Sequence, residues 1–218
     1  MRNSYAFHCI ILTSIYVLTG ASSFAQVPSA AGVTLPEIPA PVPVAIDAMS
    51  SALLILDINT AVCKPNPACM ATIPDIVLLA KRARDAKVPV VYSTIITPSG
   101  PPPILGEVTP QAGEPTVVAR ADKFIDSNLE ELLRQRNATN LVIVGTLGNG
   151  AVMYTSFHAN VRGFTVVVAE NGMSSLTPFN NFFTRHQLLQ QPGLSNATNK
   201  PLAEKMVTLS RTDLITFK

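Results

Sequence analysis

Residues able to do chemistry are sparse in this 218-residue chain, of which only 14% is charged. Asp57 stands out among them, because it directly follows the unbroken apolar run Ala52-Leu53-Leu54-Ile55-Leu56. A carboxyl at the end of a buried strand loses hydration. That lifts its pKa toward neutrality and suits it to general acid or base work. The turn Gly148-Asn149-Gly150-Ala151 follows a second apolar run, Leu141 to Val144. Glycines there let backbone come close to a ligand, and the amides of Gly150 and Ala151, at a helix start, could bind a developing negative charge. With Glu170 roughly 20 residues on, these glycines also form part of a dinucleotide fingerprint, but the third glycine is missing and the unit is not the first βα turn. His158 and His186 have no Asp-x-His or His-x₃-His partner. No metal site and no cofactor are therefore expected. Inside a helix, His158 reads as a packed or surface residue.

Such residues need a scaffold, and the pattern around them is strand, helix, strand, repeated. Ala52–Leu56, Val88–Thr94, Thr116–Ala119, Leu141–Val144, Phe164–Ala169 and Met206–Ser210 read as strands. Thr72-Ile73-Pro74 opens a helix, with Ile76, Leu79, Ala80 and Ala83 on one face. Ser127-Asn128-Leu129-Glu130 is a capping box for a helix through Arg136, and 151–161 and 178–190 also read as helices. Residues 98–115 are a loop, too rich in Pro and Gly for regular structure. Continuous apolar strands alternating with helices predict a three-layer α/β/α, Rossmann-like domain with a mostly parallel sheet of about six strands. Sites in such sheets lie outside the carboxyl ends of the strands.

The first 25 residues read as a secretory signal peptide. Arg2 starts it, an apolar run from Cys9 to Leu18 follows, and Ser23-Phe24-Ala25 provides a small-x-small cut before Gln26. The run is about half the roughly 20 residues that a spanning helix needs, so no stable membrane span is expected after cleavage. Residues 26–50 carry Pro28, Pro36, Pro39, Pro41 and Pro43 and read as an extended leader, with the domain over 51–218. Cys9 leaves with the signal. Cys63 and Cys69 remain, around a proline-rich loop, and in an oxidising compartment they are expected to pair rather than stay free thiols. A secreted or periplasmic protein follows. The net charge of +2 and the absence of a basic stripe argue against a nucleic-acid partner. Asn137-Ala138-Thr139 and Asn196-Ala197-Thr198 are glycosylation sequons, relevant in a eukaryotic host.

Three stretches in this order resemble the isochorismatase-like hydrolase family, also called cysteine hydrolases. ALLILDIN resembles the family's opening strand with its catalytic aspartate. DKFIDSNLEELL resembles its Phe-x-x-Ser/Thr-x-Leu segment. LVIVGTLGNGAVMYTSFHANVRGFTVVVAENG resembles the strand, turn and helix of its nucleophile. The likeness covers roughly residues 45–218 and implies a small-molecule substrate, with dimers or tetramers as common forms. It places Asp57 in the catalytic aspartate's position and puts Asn59, Phe124, Asn149, Gly150 and Ala151 around the substrate. The family's lysine would fall about six residues before Phe124, on Val118, so Arg120 and Lys123 are the candidates here. Lys123 is preferred, because a lysine can be desolvated and tuned while an arginine stays charged.

In the family's nucleophile turn a cysteine precedes a valine, whereas Ala151 precedes Val152 here. A methyl group cannot attack a carbonyl, so the thiol route to amides is closed. True isochorismatases resemble this chain in having a small residue there. They cleave an enol ether by protonating the enol carbon from the aspartate. Two readings follow from Ala151: an exported hydrolase without a thiol nucleophile, or an inactive relative that binds a small ligand.

Overall fold

A computed structural model describes residues 34–218. The signal-peptide reading and the first part of the leader lie outside the described residues. Six strands form one parallel sheet: β2 (Ser51–Leu56), β3 (Val90–Thr94), β4 (Thr116–Val118), β5 (Asn140–Thr146), β6 (Thr165–Ser174) and β7 (Val207–Ser210). Their spatial order is β4-β3-β2-β5-β6-β7, every pair parallel. The chain therefore starts in the middle, builds outward through β3 and β4, returns beside β2, and builds outward the other way.

Helices α1 (Pro67–Met70), α2 (Ile73–Asp85), α3 (Leu129–Gln135), α4 (Met153–Val161) and α5 (Pro178–Leu189) cover this sheet. Alternating strand residues feed two cores. Leu54, Leu56, Ile143 and Val168 pack with Leu129 and Leu133 of α3, Ala159 of α4 and Leu188 of α5. Leu53, Ile55, Val142 and Val167 pack on the other face with Ile76, Leu79 and Ala83 of α2. Both faces being covered is why the strands read as unbroken apolar runs.

The reading of 26–50 as an extended leader outside the domain is corrected for its described part, from residue 36 on. Val44–Ile46 is a strand, β1, paired in parallel with β8 (Ile215–Phe217), so β7 is not the last strand. Prolines stop at Pro43, and the next three residues have free amides and a buried-exposed-buried pattern. The proline stretch is itself fastened: the Val42 amide donates to the Leu209 carbonyl at 3.1 Å, and the Asn199 side-chain amide donates to the Ala40 carbonyl at 2.9 Å. The capping box also differs. Ser127 Oγ accepts from the Leu129 amide at 3.2 Å, two residues on, while its hydroxyl reaches back to the Lys123 carbonyl. Glu130 instead pairs with Arg134 and with Arg162.

The Cys63–Cys69 disulfide is formed, and it ties the loop after β2 to α1 with both cysteines buried. No helix among the described residues is long and apolar enough to cross a membrane.

Candidate active site

Connections leave β2 toward one edge of the sheet and β5 toward the other, so a crevice opens where their carboxyl ends part. Asp57 is the first residue past β2. Its φ of 57° turns the chain off the strand in the left-handed region, which Asp tolerates better than most residues. The turn is held by the Asp57 amide donating to the Ser93 carbonyl and by the Asn59 amide donating to the Asp57 carbonyl at 2.8 Å.

Both carboxyl oxygens of Asp57 are engaged. The Ser93 hydroxyl donates to Oδ1 at 2.8 Å, and Lys123 Nζ stands 2.7 Å from Oδ2. The ion pair is almost sealed, with side-chain exposures of 0% for Lys123 and 4% for Asp57. Lys123 Nζ also donates to the Arg120 carbonyl at 2.6 Å. Burial pushes the Asp57 carboxyl above the usual carboxylate range, against the Lys123 ammonium and the Ser93 hydroxyl, which pull it down. Burial pushes Lys123 below the usual lysine range, against the pull of Asp57 and Asp122. Burial thus moves both groups toward their neutral forms while each one's charge holds the other's.

A cavity of about 240 Å³ opens on Asp57, with Lys123 behind it. Of the residues expected around a substrate, Asp57, Gly150 and Ala151 line it. Val62, Ile95, Ala121, Thr146 and Leu147 complete the wall. Its lining is mainly apolar, and the Asp57 carboxyl is its one ionisable group among the described residues. Gly148–Val152 forms a π-helical turn leading into α4, a form often found at functional sites.

Five expectations need correction or narrowing. Asn59 is buried and fully engaged: its Oδ1 accepts from the amides of Ala61 and Val62, and its Nδ2 donates to Thr94 Oγ1. It shapes the loop that carries Val62 and does not line the cavity. Phe124 lies in the core with its ring 6.0 Å from that of Phe164, because the apolar face beneath α3 and β6 draws it inward. The Arg120 side chain is exposed, and Arg120 meets the site through its carbonyl, so the cation beside Asp57 is Lys123. Asn149 is half-buried outside the cavity wall, and the Gly150 amide donates to the Leu147 carbonyl at 3.0 Å, which leaves it engaged rather than aimed at a ligand.

Sequence reasoning missed Ser93 and the Asp122–His158 pair. Ser93 was visible as a polar residue near the end of the strand VPVVYST, whose partner β2 ends just before Asp57. Asp122 and the half-exposed His158 join the loop before α3 to α4. Glu170 sits in the irregular middle of β6 and pairs with Arg185 of α5 at 2.7 Å, a structural tie.

A parallel sheet carrying a buried acid–lysine pair at its switch point defines a class, and comparison with known proteins agrees. The family model for the isochorismatase domain matches residues 51–193, and the chain belongs to that family of hydrolases. A curated relative, the "Secreted isochorismatase effector Isc1" of Verticillium dahliae, is 32% identical over 113 residues, which is 47% of this chain. The match spans 60% of that relative's length. Among solved structures, a cysteine hydrolase from Pseudomonas syringae pv. phaseolicola superposes with a TM-score of 0.66 at 16% identity, over 83% of this chain and 95% of its own. The N-carbamoylsarcosine amidase of Thermoplasma acidophilum gives 0.62 at 19% identity, over 76% of this chain and 98% of its own. These two likenesses concern the fold.

Proposed function

We propose that this protein is an exported hydrolase that cleaves a small enol ether of the isochorismate type, with Asp57 as general acid and no thiol nucleophile. One observation carries the reading. The carboxyl lifted by burial faces a cavity whose opposite turn presents the methyl group of Ala151. Protonated Asp57 gives its proton to the terminal enol carbon, forming a C–H bond and an oxygen-stabilised cation. Water adds to the cation and returns a proton to Asp57. The resulting hemiketal collapses to a ketone and an alcohol, breaking the original C–O bond. Lys123 stabilises the carboxylate left after the first transfer. The curated relative's name, a secreted isochorismatase effector, supports both the substrate class and the export, as do the N-terminal residue pattern and the disulfide.

The test is turnover of isochorismate and of simple amides by protein purified from Gln26 onward, beside Asp57→Asn. Isochorismate should be consumed and amides left intact. The substitution should lower turnover by roughly 10² to 10⁴, the usual contribution of a positioned acid. A wild type that binds isochorismate without consuming it would be a ligand-binding relative. Thiol-dependent amide hydrolysis would overturn the reading of Ala151.

A further inference from the structure

Two stretches match the acceptor pattern for N-linked sugar, and the structure treats them oppositely. Asn137-Ala138-Thr139 lies in the turn between α3 and β5, with Asn137 and Thr139 both exposed. Asn137 has a φ of 56°, which carries it away from the end of α3. Its side chain makes no hydrogen bond among the described residues, and its backbone amide is already satisfied by the Arg134 carbonyl at 3.0 Å. Nothing has to move for a glycosidic bond to form on its amide nitrogen.

Asn196 is only 5% exposed. Its amide nitrogen, the atom that would carry the sugar, donates to the carbonyls of Lys200 and Val207, each at 2.9 Å. Its oxygen accepts from the Lys200 amide at 2.8 Å. Replacing one of those N–H hydrogens with a sugar removes a buried hydrogen bond and forces bulk against β7, so a chain modified there cannot reach this fold.

We infer that Asn137 is an N-glycosylation site and that Asn196 is not, despite the identical motif. The inference rests on the export proposed above, through a eukaryotic secretory pathway. The position also has a functional consequence. Asn140 of β5 is in register with Ser51, the first residue of β2, while Asp57 follows the last. Along six strand residues the two ends stand about 20 Å apart. A sugar on Asn137 therefore projects from the end of the sheet opposite the cavity and leaves it open.

The test expresses the full chain in a yeast secretory host and maps the secreted protein by peptide mass spectrometry, before and after enzymatic removal of N-linked sugar. Sugar is expected on Asn137 and none on Asn196. Asn137→Gln and Thr139→Ala should each abolish the mass shift and still be secreted. Thr198→Ala, at an exposed residue that leaves Asn196 itself untouched, should not change it. Secreted protein with a bare Asn137, or with sugar on Asn196, would overturn the inference while leaving export intact. Protein held inside the cell and unmodified would overturn the export reading and this inference with it.

Discussion

At the scale of single residues, the Asp57–Lys123 pair sets how activity and stability respond to pH. A general acid works only while protonated, so turnover should fall as pH rises through the pKa of Asp57. Lys123 pulls that pKa down. In Lys123→Met the falling limb of the kcat/KM profile should therefore move to higher pH, and Ser93→Ala should move it the same way by less. A limb that stays in place would remove Asp57 from the acid's role. Stability follows the same linkage with opposite signs for the two partners. The raised pKa of Asp57 contributes stability below its unfolded value near 3.8 that is lost as pH rises through the folded one. The lowered pKa of Lys123 contributes stability above its unfolded value near 10.5 that is lost as pH falls through the folded one. Asp57→Asn leaves the ammonium buried without a counter-charge, at a cost of about 3–5 kcal/mol at neutral pH. Its urea midpoint should rise as pH is raised. The double variant Asp57→Asn/Lys123→Met should recover stability without recovering turnover.

At the scale of elements, the ends of β2 and β5 must approach closely for the cavity to exist. Gly145 has a φ of 138°, and a Cβ there would stand 2.2 Å from the Leu56 carbonyl oxygen, the residue just before Asp57. Gly145→Ala is thus expected to push β5 away from β2 and destabilise the domain by more than the roughly 1–3 kcal/mol of ordinary overpacking, read as a lower thermal midpoint. Across the cavity, the Cys63–Cys69 disulfide closes a short ring next to Val62, a wall residue. Cys63→Ser/Cys69→Ser should cost about 2 kcal/mol in chain entropy and weaken ligand affinity by freeing that wall, which calorimetry would show together. The elements themselves were legible, since β2 and β5 are apolar runs and α2 has helical spacing on one face. The site was legible where chemistry meets a strand end, as at Asp57. It was not legible where a side chain's direction decides. Phe124 and Asn59 sit inside recognisable motifs, yet one turns into the core and the other bonds its own loop. Family spacing pointed to Val118 for the cation, but Val118 is at the end of β4, and the loop after it curls until Lys123 reaches Asp57.

At the scale of the molecule, the domain is held closed by a contact between its two ends in sequence. Three residues of β1 pair with three of β8, and the Lys218 amide donates to the Ile46 carbonyl at 3.0 Å. No periodicity announces so short a pair, which is why a boundary at Ser51 looked natural. The energetics argue for an earlier one. Val44, Ile46 and Ile215 are 4%, 1% and 1% exposed and join the core that also holds α2. Deleting β1 takes Val44 and Ile46 out of that core, uncovers Ile215 and leaves one edge of β8 without its backbone partners. A chain beginning at Ser51 should therefore show a lower urea midpoint than one beginning at Pro36. The cavity lies at the far ends of the strands, so the shorter chain should keep its ligand affinity at low temperature and lose it at a lower melting point. Equal midpoints for the two chains would show that the β1–β8 pair decorates the domain rather than closing it.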